Sequence, residues 1–333
     1  MEERDPRISE IFYYFQRHTS ISSGRTVGRK IGVVQEIICR RLLLSSEPIR
    51  DSIIYEPRIR GFSGATHKVE FVLFQPLEVL EIPVGQELDS TQVEGLSFSV
   101  MKVDPVRKTA AIKMTYAGRK LRCTVSTDRP IVSKSPRQLL ESNGIRIKAW
   151  INDDYSVRFS ILDLSAPVAT VESKRVGAQR FSATEKLGSG IQTIEKAKQA
   201  SLVAVDFDLE YNGTAMALGG RDANRPYRSF VILGNGVHWT DHDLSVLDAY
   251  VDYTYLARDS AILRYADYVR EKATLAGEDF FSYFMAYFKG LTNTPADDFE
   301  IFDSDFVQCR PRDAALLKEA VAKQVADYPV TGA

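Results

Sequence analysis

The chain has 333 residues, 44% of them hydrophobic and 26% charged, the composition of a globular protein with a sizeable core rather than of a disordered or fibrous one. Its 43 basic and 44 acidic residues leave a formal net charge of -1, so a polyanionic partner would have to be met by a locally basic surface. Cys39, Cys123 and Cys309 stand far apart in no metal-ligand spacing, and their odd number argues against a disulfide framework and for a reducing cytoplasm. The opening residues lack the basic segment and apolar run of a secretory signal, and no apolar run approaches the roughly 20 residues that span a bilayer. These features describe a soluble cytoplasmic protein with no membrane partner.

In chain order, a first helix is expected over ISEIFYYFQRH, then the loop TSISSGRT, then a second helix over residues 27–44. There Ile31, Val34, Ile38 and Leu42 recur at three- and four-residue intervals while Arg29, Glu36 and Arg40 form a neighbouring stripe. Strands follow at 51–57 and 66–74, separated by the turn material RGFSGA. Residues 77–165 then read as short β runs punctuated by DPVRK, AGR, SNG and NDD. A strand at 168–176, a helix at 190–201 and strands at 202–208 and SFVILG come next, before a last hundred residues that read as mainly helical and aromatic. Four regions result: 1–76, a β-rich insertion or subdomain at 77–165, 166–235, and a helical region at 236–333.

The chemistry-bearing stretch is VATVESKRV. Val168, Thr170, Glu172 and Lys174 alternate onto one strand face, and Ala169, Val171 and Ser173 onto the other. An E-x-K on a strand is common by chance, and its bland account is an edge-strand ion pair worth about 0–1 kcal/mol. Its functional account is half of a magnesium site. Magnesium is a hard cation that takes one or two protein carboxylates and keeps several waters, and a nearby lysine can orient or help deprotonate an attacking water.

A second acid has three candidates. Glu70 lies in SGATHKVEFVLFQ, on the opposite face from Val69, Phe71 and Leu73. Asp154 precedes the alternating YSVRFSIL, and a turn around DLSA would fold that strand back toward Glu172. Asp163 reads better as a turn residue bonding its own backbone. His238 and His242 around WTDHD lack the helical HExxH context of a zinc site, and helix capping by Asp241 or Asp243 explains that segment. The GSG at 188–190 lacks the strand and lysine of a phosphate loop. Aromatic residues in the last hundred positions could stack on bases, although core or dimer contacts explain them as well.

The order helix 27–44, strand 51–57, acid-bearing strand 66–74, E-x-K strand 168–176, helix 190–201 and strand 202–208 resembles the core of the PD-(D/E)XK nuclease superfamily, to which most type II restriction endonucleases belong. The resemblance implies an α/β restriction-endonuclease-like core, a mixed central sheet flanked by helices, with a β-rich insertion and a helical C-terminal region. It implies Glu172 as a metal ligand, Lys174 as the catalytic lysine, a Val171 or Ser173 carbonyl as a further ligand, Glu36 as an auxiliary acid, and Glu70 or Asp154 as the second ligand of Mg2+. Glutamate at position 70 departs from the family's usual aspartate, and so does its distance from Glu172, which the β-rich insertion would explain. The basic groups Arg25, Arg29 and Lys30, then Arg175, Arg180 and Lys186, then Arg107, Lys108, Arg119, Lys120 and Arg122, are candidates for contacting double-stranded DNA, or else solvated polar faces. A homodimer is expected from the palindromic sites such enzymes cut. The rival expectation is a nucleic-acid-binding or defence-associated module in which the E-x-K is purely structural.

Overall fold

The computed structural model describes residues 27–55, 58–60, 66–68, 70–126, 140, 143–174, 209–211, 214–216, 228–234, 252–277, 301–310 and 315–327. The first helix expected from the sequence and the segments 190–201 and 202–208 lie outside them. Helix α1 (Val27–Leu44) has the predicted bounds. Ile38, Cys39, Leu42 and Leu43 are buried along it, the stripe by which an amphipathic helix joins a core. Helix α2 (Glu47–Ser52) carries Pro48 in its first turn, where the missing N–H costs nothing. Six residues do not sustain a helix alone. Side chains from the strands it packs on take the carbonyls at its C-terminal end: Ser160 Oγ donates to Asp51 at 2.6 Å, and Lys148 Nζ donates to both Arg50 and Ile53.

Because α2 uses residues 51–52, the strand expected at 51–57 is replaced by β1 (Ile53–Tyr55) and β2 (Arg58–Arg60). The strand expected at 66–74 is also divided, into β3 (Thr66–Lys68) and β4 (Phe71–Ile82), with a bend at Glu70. An antiparallel meander follows: β5 (Glu87–Asp89), β6 (Ser97–Asp104), β7 (Thr109–Tyr116) and β8 (Arg119–Ser126). Ala117 and Gly118, at φ 47° and 73°, form the β7–β8 connection, the positive-φ pair whose twist suits a two-residue hairpin. Along β7, Ala110, Ile112, Met114 and Tyr116 are buried and alternate with more exposed residues.

The remaining strands are β9 (Ile145–Ile151), β10 (Val157–Lys174), β11 (Leu209–Tyr211), β12 (Thr214–Met216), β13 (Arg228–Gly234), β14 (Tyr253–Ala257) and β15 (Phe306–Arg310). Helix α3 (Asp259–Ala276) separates β14 from β15, and α4 (Leu317–Asp327) follows. The central sheet has the order β1-β4-β10-β13-β14-β15. It is mixed: β10, β13 and β14 are parallel, and the outer pairings are antiparallel. β9 pairs with the first half of β10, and β13 with its second half. A small sheet, β12-β11-β2-β3, places β12 against β10.

Long β4 and β10 pass through two cores. In one, Phe71, Leu73, Ala169, Val171, Phe230, Ile232 and Tyr255 pack with Ile38, Cys39 and Leu42 of α1 and with α4. In the other, Ile82, Val157, Phe159 and Ile161 pack with the meander, and the rings of Phe98 and Phe159 stack at 4.3 Å. The boundaries expected near 77 and 165 therefore fall inside strands shared by both parts. The C-terminal region, expected to be mainly helical, contributes strands as well. β14 and β15 extend the central sheet, because Thr254, Tyr255 and Ala257 are buried in a strand with β-branched and aromatic residues in succession. The chain is thus a mixed α/β protein, and among its described residues no helix is long and apolar enough to cross a membrane.

Candidate active site

Glu172 lies near the end of β10, opposite Val231 of β13, and is 3% exposed. With β4 on its other edge as far as Val171, β10 is a central strand of the sheet. Along the second half of β10, the ladder to β4 runs from Ala169–Leu73 to Val171–Phe71 and ends there, because the chain bends at Glu70. β10 continues past that point, which leaves backbone donors without a strand partner on that edge. Two carboxylates replace the ladder. Glu172 Oε2 accepts from the backbone N–H of Glu70 at 3.0 Å, and Glu70 Oε2 accepts from the backbone N–H of Ser173. Glu70 is 8% exposed.

Helix α1 closes the site from the core side. Gln35, 2% exposed, donates from Nε2 to Ser173 Oγ at 3.0 Å, while its Oε1 is buried with no hydrogen-bond partner among the described residues. Burial pushes the Cys39 thiol well above its usual pKa, and the Glu70 and Glu36 carboxylates push it further. The Tyr55 hydroxyl approaches Glu36 Oε2 at 3.5 Å. Acids from the bend before β4 and from β10 are thus brought together, while Glu36 of α1 is met by Tyr55.

Asp154 goes elsewhere. It is exposed in the turn between β9 and β10, where Tyr155 has φ 64°, and its Oδ1 accepts from Ser156 N–H at 2.9 Å and Ser156 Oγ at 2.7 Å. These bonds hold its carboxyl below the usual range. Asp154 precedes the start of an 18-residue strand whose far end carries Glu172. No turn occurs around DLSA: residues 163–166 belong to β10, and the register against β4 shifts between Ile161 and Ala169. Extra residues of this kind bend a strand without reversing it.

Lys174 ends β10 opposite Leu233, and its side chain lies outside the described residues, as do those of Arg29 and Lys30 on α1. Arg25, Arg175, Arg180, Lys186, His238, His242 and the GSG also lie outside them. Arg119, Lys120 and Arg122 are exposed on β8 at the Tyr116 end of β7, whereas Arg107 and Lys108 sit in the turn at its Thr109 end. These five residues therefore form two groups at opposite ends of the meander.

Two features escaped the sequence reading. Gln35 falls on the apolar stripe of α1, and a lone polar residue on such a stripe is the signal it offered. The other is the run IRIKAWI of β9, in which Arg146, Lys148 and Trp150 alternate onto one face. A basic and aromatic face on a strand of otherwise core-forming residues marked them. They line a cavity of about 120 Å³ with Arg40, Tyr55 and Phe71.

The donor set at Glu70 and Glu172 suits a hard cation. It consists of carboxylate oxygens, with the buried amide oxygen of Gln35 close by as an acceptor for a metal-bound water. Among the described residues no group of three or more His, Cys, Asp or Glu could hold a metal ion, so Glu70 and Glu172 stand there as a pair. No family model, curated protein or solved structure matches this chain.

Proposed function

We propose that the chain is a magnesium-dependent endodeoxyribonuclease of the type II restriction kind, built on a PD-(D/E)XK-like core and acting on double-stranded DNA as a homodimer. One observation carries this reading: two glutamates from adjoining strands, each less than a tenth exposed, meet where the ladder between those strands stops. Burying a carboxylate costs several kcal/mol (about that much even after relaxation), and a second like charge adds to it. Two carboxylates held side by side in such a place would suit a cation bound between them.

Glu70 and Glu172 would hold the magnesium, with a Val171 or Ser173 carbonyl as a further ligand and Glu36 as an auxiliary acid. When bound, the ion would neutralise charge on the phosphate and acidify water beside it. Lys174 would orient that water and balance the negative charge that develops on the phosphoryl oxygens. Gln35 and α1 fix the position of Ser173, and therefore of the strand that carries Glu172 and Lys174.

Incubation of the protein with DNA of mixed sequence tests this. Discrete fragments are expected with Mg2+ and none with a chelator, and both Glu172→Gln and Lys174→Ala should abolish them. A second reading has its own support, since the crossed carboxylate bonds also serve simply to close the end of a ladder. In that reading the protein binds DNA without cutting it. Unchanged DNA binding by Glu172→Gln, with intact DNA in every metal, would establish it.

A further inference from the structure

We propose that the cavity between α1, β1 and β9 receives the terminal phosphate of a nucleic-acid strand, held by Arg40, Arg146 and Lys148 beside the rings of Tyr55 and Trp150. This deepens the nucleic-acid reading above and rests on it. At about 120 Å³ the cavity is small beside the roughly 300–1,000 Å³ of pockets for drug-sized ligands. It suits a compact group and not a whole nucleotide.

Two buried donors on β9 have room for an acceptor. Lys148 is 6% exposed, and two of its three N–H donors go to the Arg50 and Ile53 carbonyls. Neither its third donor nor the Nε1–H of Trp150, 7% exposed, has an acceptor among the described residues. Buried donors are costly to leave unmet, and an oxyanion supplies several acceptors at once.

Charge points the same way. Burial pushes the Lys148 ammonium well below its usual pKa, Asp51 opposes this, and Arg40, Arg146 and Arg50 add to it. Asp51 is itself engaged by Arg158 at 2.7 Å. A terminal phosphate monoester carries its free oxygens at the end of the strand and can enter a cavity of this size, whereas an internal diester is flanked by nucleotides on both sides.

The cations are held in advance of binding. The Arg40 guanidinium lies 5.1 Å from the Tyr55 ring centre and Lys148 Nζ lies 5.0 Å from that of Trp150. The cavity also adjoins the acids. Tyr55 lines it and reaches Glu36, and Phe71 lines it next to Glu70 in the chain.

The test is fluorescence anisotropy of one labelled oligonucleotide bearing a 5′-phosphate, a 3′-phosphate or hydroxyls at both ends, titrated with the full-length protein in EDTA. At least tenfold tighter binding of one phosphorylated end is expected. That preference should fall below twofold in Arg40→Gln and Arg146→Gln, and should weaken in Trp150→Phe, which keeps a ring and removes the donor. Equal affinity for all three ends overturns the proposal, as does a preference that survives both arginine substitutions. Displacement of the strand by inorganic phosphate at the oligonucleotide's own concentration also overturns it, since the occupant would then be a free anion. A preference that persists without Mg2+-dependent cleavage counts against the nuclease reading alone. Cleavage without any end preference counts against the cavity alone.

Discussion

Glu70 and Glu172 are crossed: each carboxylate accepts a hydrogen bond from the backbone of the other's strand, Glu172 from the N–H of Glu70 itself and Glu70 from that of Ser173. The arrangement ties side-chain position to backbone position. Moving either acid disturbs the end of the ladder, so the pair is preorganised in the sense that a metal or phosphate site requires.

This relationship separates the two candidate second acids. Glu70→Gln keeps an amide oxygen that can accept the Ser173 N–H but removes the charge, so cleavage should fall by at least about 10²-fold with little change in the thermal midpoint. Asp154→Asn should leave cleavage unchanged and cost at most about 1 kcal/mol, the scale of the turn bonds to Ser156. Rates on one DNA substrate with circular-dichroism melts of both variants decide the matter. A silent Glu70→Gln with an inactive Asp154→Asn would reverse the assignment.

Arg158 fastens α2 to β10. It donates from Nε and Nη2 to Asp51, which is 3% exposed, and pairs with Glu47 at 2.6 Å and with Glu81. Arg158→Met leaves Asp51 buried without its principal partner and should destabilise the fold by about 3 kcal/mol. Asp51→Asn combined with Arg158→Met should cost less than the sum of the single changes. Urea denaturation of the four proteins measures the coupling, and strict additivity would show that the pair is not a unit.

Thiol reactivity reports on the core beside the acids. Cys39 is fully buried with its pKa raised, Cys123 is 6% exposed with its pKa raised by burial, and Cys309 is partly exposed. Only a thiolate reacts quickly. Alkylation of the native protein should label Cys309 first, with Cys39 reacting only as the protein unfolds. Mass spectrometry of peptides after a short exposure checks this order, and early labelling of Cys39 would contradict the packing of α1 on the sheet.

Tyr255 predicts an alkaline limit. Its side chain is fully buried, its hydroxyl donates to the Ala315 carbonyl at 3.3 Å, and burial, with Tyr253 and Asp303 adding, raises its pKa. An unfolded tyrosine loses its proton near pH 10, whereas the folded one keeps it. The unfolded state therefore binds fewer protons above that pH, and stability present below about pH 10 is lost as the pH rises. Tyr255→Phe should cost about 1 kcal/mol at neutral pH through the lost hydrogen bond and should flatten the decline above pH 10. Urea melts from pH 7 to beyond pH 10 measure both effects.

Local patterns determined a good deal by themselves. The three- and four-residue spacing of Ile38 and Leu42 fixed α1 to its observed bounds, alternation fixed β7 and β8, and the same alternation put Glu172 on a strand among core residues. These depend on periodicity, which neighbouring residues carry among themselves. The choice between Glu70 and Asp154 does not. It depends on where the β4–β10 ladder stops and on a bulge that keeps β10 running through residues 163–166, and both are set by pairing between residues about a hundred positions apart. β14 was read as helix because VDYTYLA suits either structure until β13 and β15 lie beside it. The Lys148 cavity likewise exists only because α1, β1 and β9 converge, and no single stretch of chain contains its walls.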